Sequence, residues 1–197
     1  MPAVENLKLT YAEYAKREQE SGTKSEFLNG EVFAMAGGTE EHATLGARMI
    51  AALARGLEGT PCEPKSSDLR IRTPSGLGAY PDVSVVCGKS VKSSEDGLSV
   101  TNPTLIVEVL SEGTEAYDRG IKFAHYRSMA SLKEYVLVSF REPAIESHIR
   151  NDDGTWTETF ARAGETLTLR SVDLPVDVDT LFRGMTHDTA EGRMVLT

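Results

Sequence analysis

The first third of the chain carries three local patterns of hydrophobic and polar residues. Thr10 followed by Glu13 has the spacing of a capping box, which predicts the start of a helix. Two short apolar runs flank the dipeptide Asn29-Gly30 and predict a β-hairpin with a type I′ turn. Further on, apolar residues recur at helical spacing. The predicted elements are a helix over residues 10–22, strands over 25–28 and 31–35, and a helix over 39–57.

The middle of the chain predicts a buried sheet with one crossover helix. Residues 68–72 alternate polar and apolar positions, and we expect a turn to lead from them into a hairpin partner over residues 80–86. Residues 104–110 form a nearly continuous apolar run, which is typical of a central strand covered on both faces. A helix over residues 114–128 and a second buried strand over residues 134–138 then complete a strand–helix–strand unit.

The last part of the chain predicts short strands separated by glycine turns. We interpret residues from about 143 to 182 as an antiparallel β-meander. No repeat or linker divides the chain, so we predict one domain over residues 1–197 with a core at about 9–140. The predicted fold class is α/β (α+β), with a mixed β-sheet flanked by helices.

Composition and charge exclude several classes of protein. The chain has 197 residues, of which 40% are hydrophobic and 26% charged, and it contains no apolar run approaching the roughly 20 residues of a membrane helix. The first ten residues lack a secretory signal, so we expect a cytoplasmic protein in which Cys62 and Cys87 stay reduced. The net charge of -9 opposes non-specific binding to phosphate backbones. Any contact with nucleic acid must therefore be local.

Two acidic residues stand in or beside predicted strands. Glu108 interrupts the apolar run 104–110, and a buried carboxylate is costly unless it is paired or bound to metal. Glu108 could instead point to the sheet edge or pair with Arg119. Asp82 follows Pro81, where its side chain could simply accept a hydrogen bond from a nearby backbone donor. If their strands are neighbours, the two carboxylates can converge on Mg²⁺, which prefers oxygen ligands.

Three further residues are candidates for the same site. Lys122 shares a helix face with Asp118 and could offset the charge that develops during phosphodiester hydrolysis, or could be a solvated lysine paired with Asp118. Glu31 begins a strand directly after a tight turn and could approach the metal, although an exposed acid is common there. His42 could contact phosphate or orient Glu31, or could serve only in packing or capping.

The remaining basic and histidine residues give weaker indications. Arg70 and Arg72 alternate with apolar residues, so they share a sheet face that could meet a nucleic-acid backbone or only solvent. His125, His148 and His187 show no metal-ligand spacing with one another, and we interpret them as structural.

Taken in order, these segments resemble the Uma-two family of putative restriction endonucleases, a branch of the PD-(D/E)XK nuclease superfamily. The resemblance extends from about Leu9 to Phe182. The matching stretches are residues 26–35 followed by His42, residues 80–86, and the densest match at residues 103–126.

The resemblance implies a restriction-endonuclease-like domain and a Mg²⁺-dependent endonuclease acting on DNA, with Mn²⁺ as a substitute. It assigns Asp82, Glu108 and the Val109 carbonyl to the metal, Lys122 to the attacking water, and Glu31 as an extra acid. The superfamily's usual lysine position is Leu110 here, so the resemblance places the lysine on the following helix. It also favours a homodimer that cuts both strands.

Two alternative functions stay open on the sequence. The first is a non-catalytic homo-oligomeric binding or accessory protein with a nuclease fold, which the net charge of -9 favours. The second is a pair of carboxylates acting as general acid and base on a small molecule without metal.

Overall fold

The computed structural model of the protein describes residues 8–189 and 192–196. None of the helices in these described ranges is long and apolar enough to cross a membrane. In chain order the elements are α1 (Tyr11–Ser21), β1 (Ser25–Leu28), β2 (Glu31–Ala34), α2 (Glu40–Gly56), β3 (Cys62–Ser66), β4 (Ile71–Arg72), β5 (Leu77–Ala79), β6 (Val83–Cys87), β7 (Leu105–Val109), α3 (Glu115–Tyr117), a π-helical turn (Asp118–Lys122), α4 (Phe123–Tyr126), β8 (Glu134–Val138), β9 (Ala144–Arg150), β10 (Trp156–Arg162), β11 (Thr166–Leu169), β12 (Leu174–Asp177), α5 (Val178–Phe182), β13 (Thr186–Thr189) and β14 (Gly192–Val195).

A six-stranded mixed sheet in the order β10-β9-β8-β7-β6-β3 lies at the centre of the molecule. Strands β7 and β8 are parallel, and the other neighbours in this sheet are antiparallel. All five residues of β7 and all five of β8 are buried, as expected for strands covered on both faces. Helix α2 packs on one face through Leu45, Met49 and Leu53, while Tyr126 of α4 belongs to the core on the other face.

A smaller antiparallel sheet in the order β2-β1-β5-β4 lies beside the large one. Helix α1 covers it with Tyr11 and Tyr14, whose rings pack against Phe27 of β1 at centroid distances of 5.4 and 5.2 Å. The chain crosses from the small sheet to the large sheet between β5 and β6. Asp82 therefore lies in the crossing segment, where the two sheets meet.

The local patterns of the first third are confirmed. Thr10 and Glu13 form both hydrogen bonds of the capping box, and helix α1 ends at a left-handed glycine, Gly22. Asn29 and Gly30 both have positive φ, at 50° and 98°, which the type I′ turn requires. These signals are local in sequence, so the surrounding fold does not override them.

The expected hairpin partner of residues 68–72 is wrong. Strand β4 pairs with β5, whereas β6 leaves for the large sheet, where it lies between β3 and β7. Pro81 lies between β5 and β6 and lacks a backbone N–H, so it cannot donate a hydrogen bond that would continue β5 as a strand. Strand β3 was not predicted because its polar residues and Pro64 lack the apolar alternation that indicates a strand. It is an edge strand, where such a sequence is tolerated.

The predicted crossover helix over residues 114–128 is divided into α3, the π-helical turn and α4. It still connects parallel neighbours, as predicted. Strands β9 and β10 then extend the large sheet as an antiparallel continuation of β8. Strand β11 pairs instead with β12 in a two-stranded ribbon, so the C-terminal strands do not all belong to one sheet.

Cys62 and Cys87 form a disulfide, unlike the reduced thiols expected from the sequence. The two residues are direct cross-strand partners on β3 and β6. The sequence allows the two cysteines to pair, and the expectation of reduced thiols rests only on the lack of a secretory signal.

Candidate functional site

A buried lysine surrounded by carboxylates lies where the two sheets and the π-helical turn meet. The Lys122 Nζ is 3.0 Å from Glu26 Oε1, 3.0 Å from Glu108 Oε1 and 3.3 Å from Asp118 Oδ1. All four side chains are at most 6% exposed. Charges buried this deeply must be paired, so the cluster is a fixed electrostatic unit.

The four members of this cluster come from three elements of the fold. Glu108 is the fourth residue of the fully buried strand β7, and Glu26 lies in β1 of the small sheet. Asp118 and Lys122 begin and end the π-helical turn, which directs both side chains inward. π-Helical turns are rare and occur frequently at functional sites.

Asp82 lies next to Glu108 because β6 and β7 are antiparallel neighbours with Val83 opposite Val107. The Asp82 backbone N–H donates to Glu108 Oε2 at 3.3 Å, and the Val109 N–H donates to Asp82 Oδ2 at 2.8 Å. The Asp82 carboxylate thus accepts a backbone hydrogen bond and still lies beside the cluster. The two acids and the Val109 peptide group form one connected arrangement.

Burial and mutual charge change the acidity of these groups. Burial raises the pKa of Glu108 well above its usual range, and Lys122 opposes this shift only in part. Burial likewise raises the pKa of Asp118. Burial alone would lower the pKa of Lys122, but the nearby carboxylates, led by Glu108 and Glu26, raise it well above its ordinary value. Lys122 is therefore a cation at neutral pH.

A cleft of about 670 Å³ opens the arrangement to solvent, and its lining includes Asp82 and His42. The side chains of Asp82 and His42 are 22% and 24% exposed, in contrast to the buried lysine cluster. The His42 Nε2 is 3.2 Å from Asp82 Oδ2, and this hydrogen bond raises the pKa of the imidazole. The acids therefore extend from the buried cluster to an accessible surface.

The structure brings Asp82, Glu108 and Lys122 together, with the Val109 peptide group beside them. Glu31 lies apart: it is exposed at the start of β2 and forms no ion pair with any described residue. The acid of the N-terminal hairpin that contacts Lys122 is Glu26, which sequence reasoning missed.

Glu26 and Glu31 lie on the same face of the hairpin, because the register pairs Glu26 with Phe33 and Leu28 with Glu31. The alternation of side chains therefore could not separate them. Position along the hairpin decides which acid is buried, since Glu31 lies at the turn end. A charged residue directly beside Phe27 in a short apolar run was the available signal for Glu26.

Arg70 and Arg72 do not form an open basic face. Arg70 is buried and pairs with Asp96 at 2.8 Å, and its guanidinium lies 5.2 Å from the ring centroid of Tyr14. Arg72 pairs with Glu95 at 2.8 Å, and its side chain is only 12% exposed. Both arginines thus connect the loop after β6 to the small sheet and α1.

A second group of ligand-type side chains lies on β9 and β10. Glu146, His148 and Glu158 place their ligating atoms within 4.8 Å of one another, and Arg119 holds the second oxygen of Glu146 at 2.5 Å. No sequence motif indicated this group, because Glu158 and His148 become neighbours only through strand pairing. His148 is therefore part of a ligand-type cluster, although sequence spacing indicated none.

A comparison with family models identifies the family of this chain. The model of the Uma2 family, described as a putative restriction endonuclease, matches residues 11–178. Two uncharacterized proteins of Synechocystis are similar. One, slr1290, is 37% identical over 185 residues, covering 93% of this chain and 96% of its own length. The other, sll1609, is 34% identical over 152 residues, covering 77% of this chain and 86% of its own length.

The fold also matches a solved structure. A putative nuclease belonging to DUF820 from Anabaena variabilis superposes with a TM-score of 0.67, covering 82% of this chain and 90% of that protein. The sequence identity is 12%, so the match concerns the fold alone.

Proposed function

Because the chain belongs to the Uma2 family of putative restriction endonucleases and has a nuclease-like fold, we propose that it is a Mg²⁺-dependent endonuclease hydrolysing phosphodiester bonds in DNA. The observation that carries this proposal is the contact between Lys122 and Glu108, whose other carboxylate oxygen accepts the Asp82 N–H. The arrangement joins a buried cation, through the buried Glu108, to Asp82 at the edge of an open cleft.

The residues present fit a divalent cation. Three carboxylates, from Glu26, Glu108 and Asp118, contact a single buried lysine, and a fourth, from Asp82, lies beside Glu108. Both carboxylate oxygens of Glu26 are buried and accept no hydrogen bond from the described residues, although Lys122 lies at ion-pair distance. The donor set is all oxygen and negatively charged in excess, as hard cations require.

Asp82, Glu108 and the Val109 carbonyl would hold this cation. When bound, a divalent cation polarises a phosphoryl oxygen and lowers the pKa of a coordinated water. Mg²⁺ suits these oxygen donors, and Mn²⁺ is a reasonable substitute.

Lys122 acts as a fixed positive charge. Its raised pKa keeps the ammonium protonated, so it serves as a hydrogen-bond donor and charge stabiliser beside the reacting phosphate. Tyr126 donates to Glu108 Oε1 at 3.1 Å, the same oxygen that Lys122 contacts. Tyr126 thereby fixes the carboxylate and leaves Glu108 Oε2 directed toward Asp82.

An arginine-lined groove offers contacts for DNA phosphates despite the net charge of -9, and it shares no lining residue with the cleft at Asp82. Arg48, Arg55 and Arg183 line a cavity of about 390 Å³ beside α2, with Asp177 as the acidic residue of the lining. Arg48 also donates to the Leu181 carbonyl at 2.8 Å, which fixes its side chain. Arginine side chains are well suited to phosphate oxygens.

The proposed experiment measures cleavage of supercoiled plasmid and single-stranded DNA with Mg²⁺, Mn²⁺ or EDTA. Glu108→Gln is compared with Glu115→Gln, whose carboxylate pairs with Arg119 and Arg141 outside the lysine cluster. We expect metal-dependent nicking by the wild type and by Glu115→Gln, and none by folded Glu108→Gln. Equal nicking by both variants would contradict the proposal.

A non-catalytic accessory protein is the second candidate, favoured by the net charge of -9. It predicts DNA binding without cleavage in any metal. Size-exclusion chromatography with light scattering tests the homodimer that both candidates share. A cytoplasmic location also stays a prediction.

A further inference from the structure

His42 is directed at the groups proposed to hold the metal. It lies in the first turn of α2, where the Thr39 side chain accepts its backbone N–H at 3.3 Å. The ring places Nε2 3.2 Å from Asp82 Oδ2. The imidazole therefore contacts Asp82, one of the proposed metal-ligating residues, although the two are 40 positions apart in the sequence.

The loop before α2 holds the ring in this orientation. A Cβ built on Gly38 would lie 2.7 Å from His42 Nδ1, whereas a Cβ on Gly37 would meet nothing within 4 Å. The backbone at Gly38 thus packs against the Nδ1 side of the ring. This contact leaves Nε2 facing Asp82 and the cleft.

We propose that His42 is a further ligand of the divalent cation through Nε2, an inference that rests on the proposed function. Binding of the cation displaces to solvent the proton that Nε2 shares with Asp82 Oδ2. Neighbouring ligands of a six-coordinate cation with bonds of about 2.1 Å are about 3 Å apart. The 3.2 Å separation of Nε2 and Asp82 Oδ2 is close to that value. The ring lines an accessible cleft, so it is placed for a solvent-derived ion and is not buried in the core.

A nitrogen ligand changes which metal the site prefers. Mg²⁺ strongly favours oxygen donors, whereas imidazole is a good ligand for first-row transition metals. The site therefore takes Mn²⁺ more tightly than its carboxylates alone would. Removing the imidazole should weaken Mn²⁺ binding much more than Mg²⁺ binding.

The test measures metal binding with the full chain and without DNA. Electron spin echo envelope modulation of bound Mn²⁺ detects coupling to a ligating imidazole nitrogen. Isothermal titration calorimetry gives the Mn²⁺ and Mg²⁺ affinities. The histidine of the second ligand-type group is removed by His148→Ala in every sample. In that background we expect nitrogen coupling with His42 present and none in His42→Ala, whose Mn²⁺ affinity falls at least about 10-fold.

Two glycine variants test the same ligand without removing the histidine, so the result does not depend on whether His42→Ala folds. Gly38→Ala pushes the ring away and should lower Mn²⁺ affinity, while Gly37→Ala should leave it unchanged. Mn²⁺ binding that needs Asp82 and Glu108 but shows no nitrogen coupling would overturn the role of His42 and leave the proposed function intact. Absence of Mn²⁺ and Mg²⁺ binding altogether would overturn both.

Discussion

A carboxylate oxygen of Glu26 lies 3.0 Å from the Nζ of Lys122, joining the N-terminal hairpin to the helix that follows the central strand. Glu31, five positions along the same hairpin, is exposed. The contact makes Glu26 the acid that orients the lysine from the small sheet.

The hairpin acids provide a matched pair of variants. We expect Glu26→Gln to lower DNA cleavage by about 10- to 100-fold, because Lys122 loses a charged partner that positions it. Glu31→Gln should retain wild-type cleavage, since its side chain is in solvent. Initial rates of plasmid nicking at saturating metal test this. The reverse result would support Glu31 as the extra acid that the sequence resemblance implied.

Lys122→Gln should affect both stability and cleavage. Removing the cation leaves Glu26, Glu108 and Asp118 buried without their shared partner, which we expect to cost about 3–5 kcal/mol of unfolding free energy. Cleavage should fall by about 100-fold or more under conditions where circular dichroism shows a folded variant. Urea unfolding at pH 7 measures the first effect, with the exposed Lys16→Gln as control. An unchanged unfolding midpoint would contradict the central position of this lysine.

The arginine groove should determine affinity for DNA. In Arg55→Gln with Arg183→Gln, the slope of log K against log salt should become shallower by about 0.9 for each arginine–phosphate ion pair that the substitutions remove. Fluorescence anisotropy in EDTA measures binding without cleavage, and Lys133→Gln provides an exposed control outside the groove. An identical slope in the double variant and the wild type would exclude this groove from the DNA path.

Breaking the Arg70–Asp96 ion pair should lower the free energy of unfolding strongly, whereas breaking the neighbouring Arg72–Glu95 pair should change it little. The Asp96 carboxylate accepts hydrogen bonds from Tyr11 and Ser99 and its side chain is 1% exposed, so we expect Asp96→Asn to cost about 3 kcal/mol. Glu95 is 46% exposed in its pair with Arg72, and Glu95→Gln should cost less than about 1 kcal/mol. Urea unfolding of the two variants gives both values.

The Asp96 effect should also depend on pH. Burial acts to raise the pKa of Asp96, but hydrogen bonds from Ser99 and Leu98 outweigh it and lower the pKa to about 2. A depressed folded-state pKa gives stability that is present above the unfolded value of about 4 and is lost as pH falls toward 2. The difference between wild type and Asp96→Asn should therefore shrink over that interval. A constant difference would contradict the charge-based explanation.

The Cys62–Cys87 disulfide predicts a stability that depends on reductant. Closing a loop with a sequence separation of 25 is worth about 3 kcal/mol. Adding a phosphine reductant should lower the urea midpoint of the wild type and leave that of Cys62→Ser unchanged. Thiol titration of the unfolded, air-oxidised wild-type protein should detect no free cysteine thiol. Two free thiols would instead support the reduced state expected from the sequence.

Local sequence signals determined much of the fold. The capping box at Thr10, the Asn29-Gly30 turn and the apolar strand around Glu108 all correspond to observed elements, because each depends on neighbours within a few residues. The acid in the apolar strand also indicated that a partner was required. Lys122 is one such partner in the structure.

Tertiary structure decided the rest. The sequence could not choose between Glu26 and Glu31, direct His42 toward Asp82, or pair Cys62 with Cys87, because each depends on which distant strands and helices become neighbours. Strand alternation fixes the face of a side chain but not its distance from a lysine on another element. The sequence thus determined which residues needed partners, and long-range packing determined which partners they met.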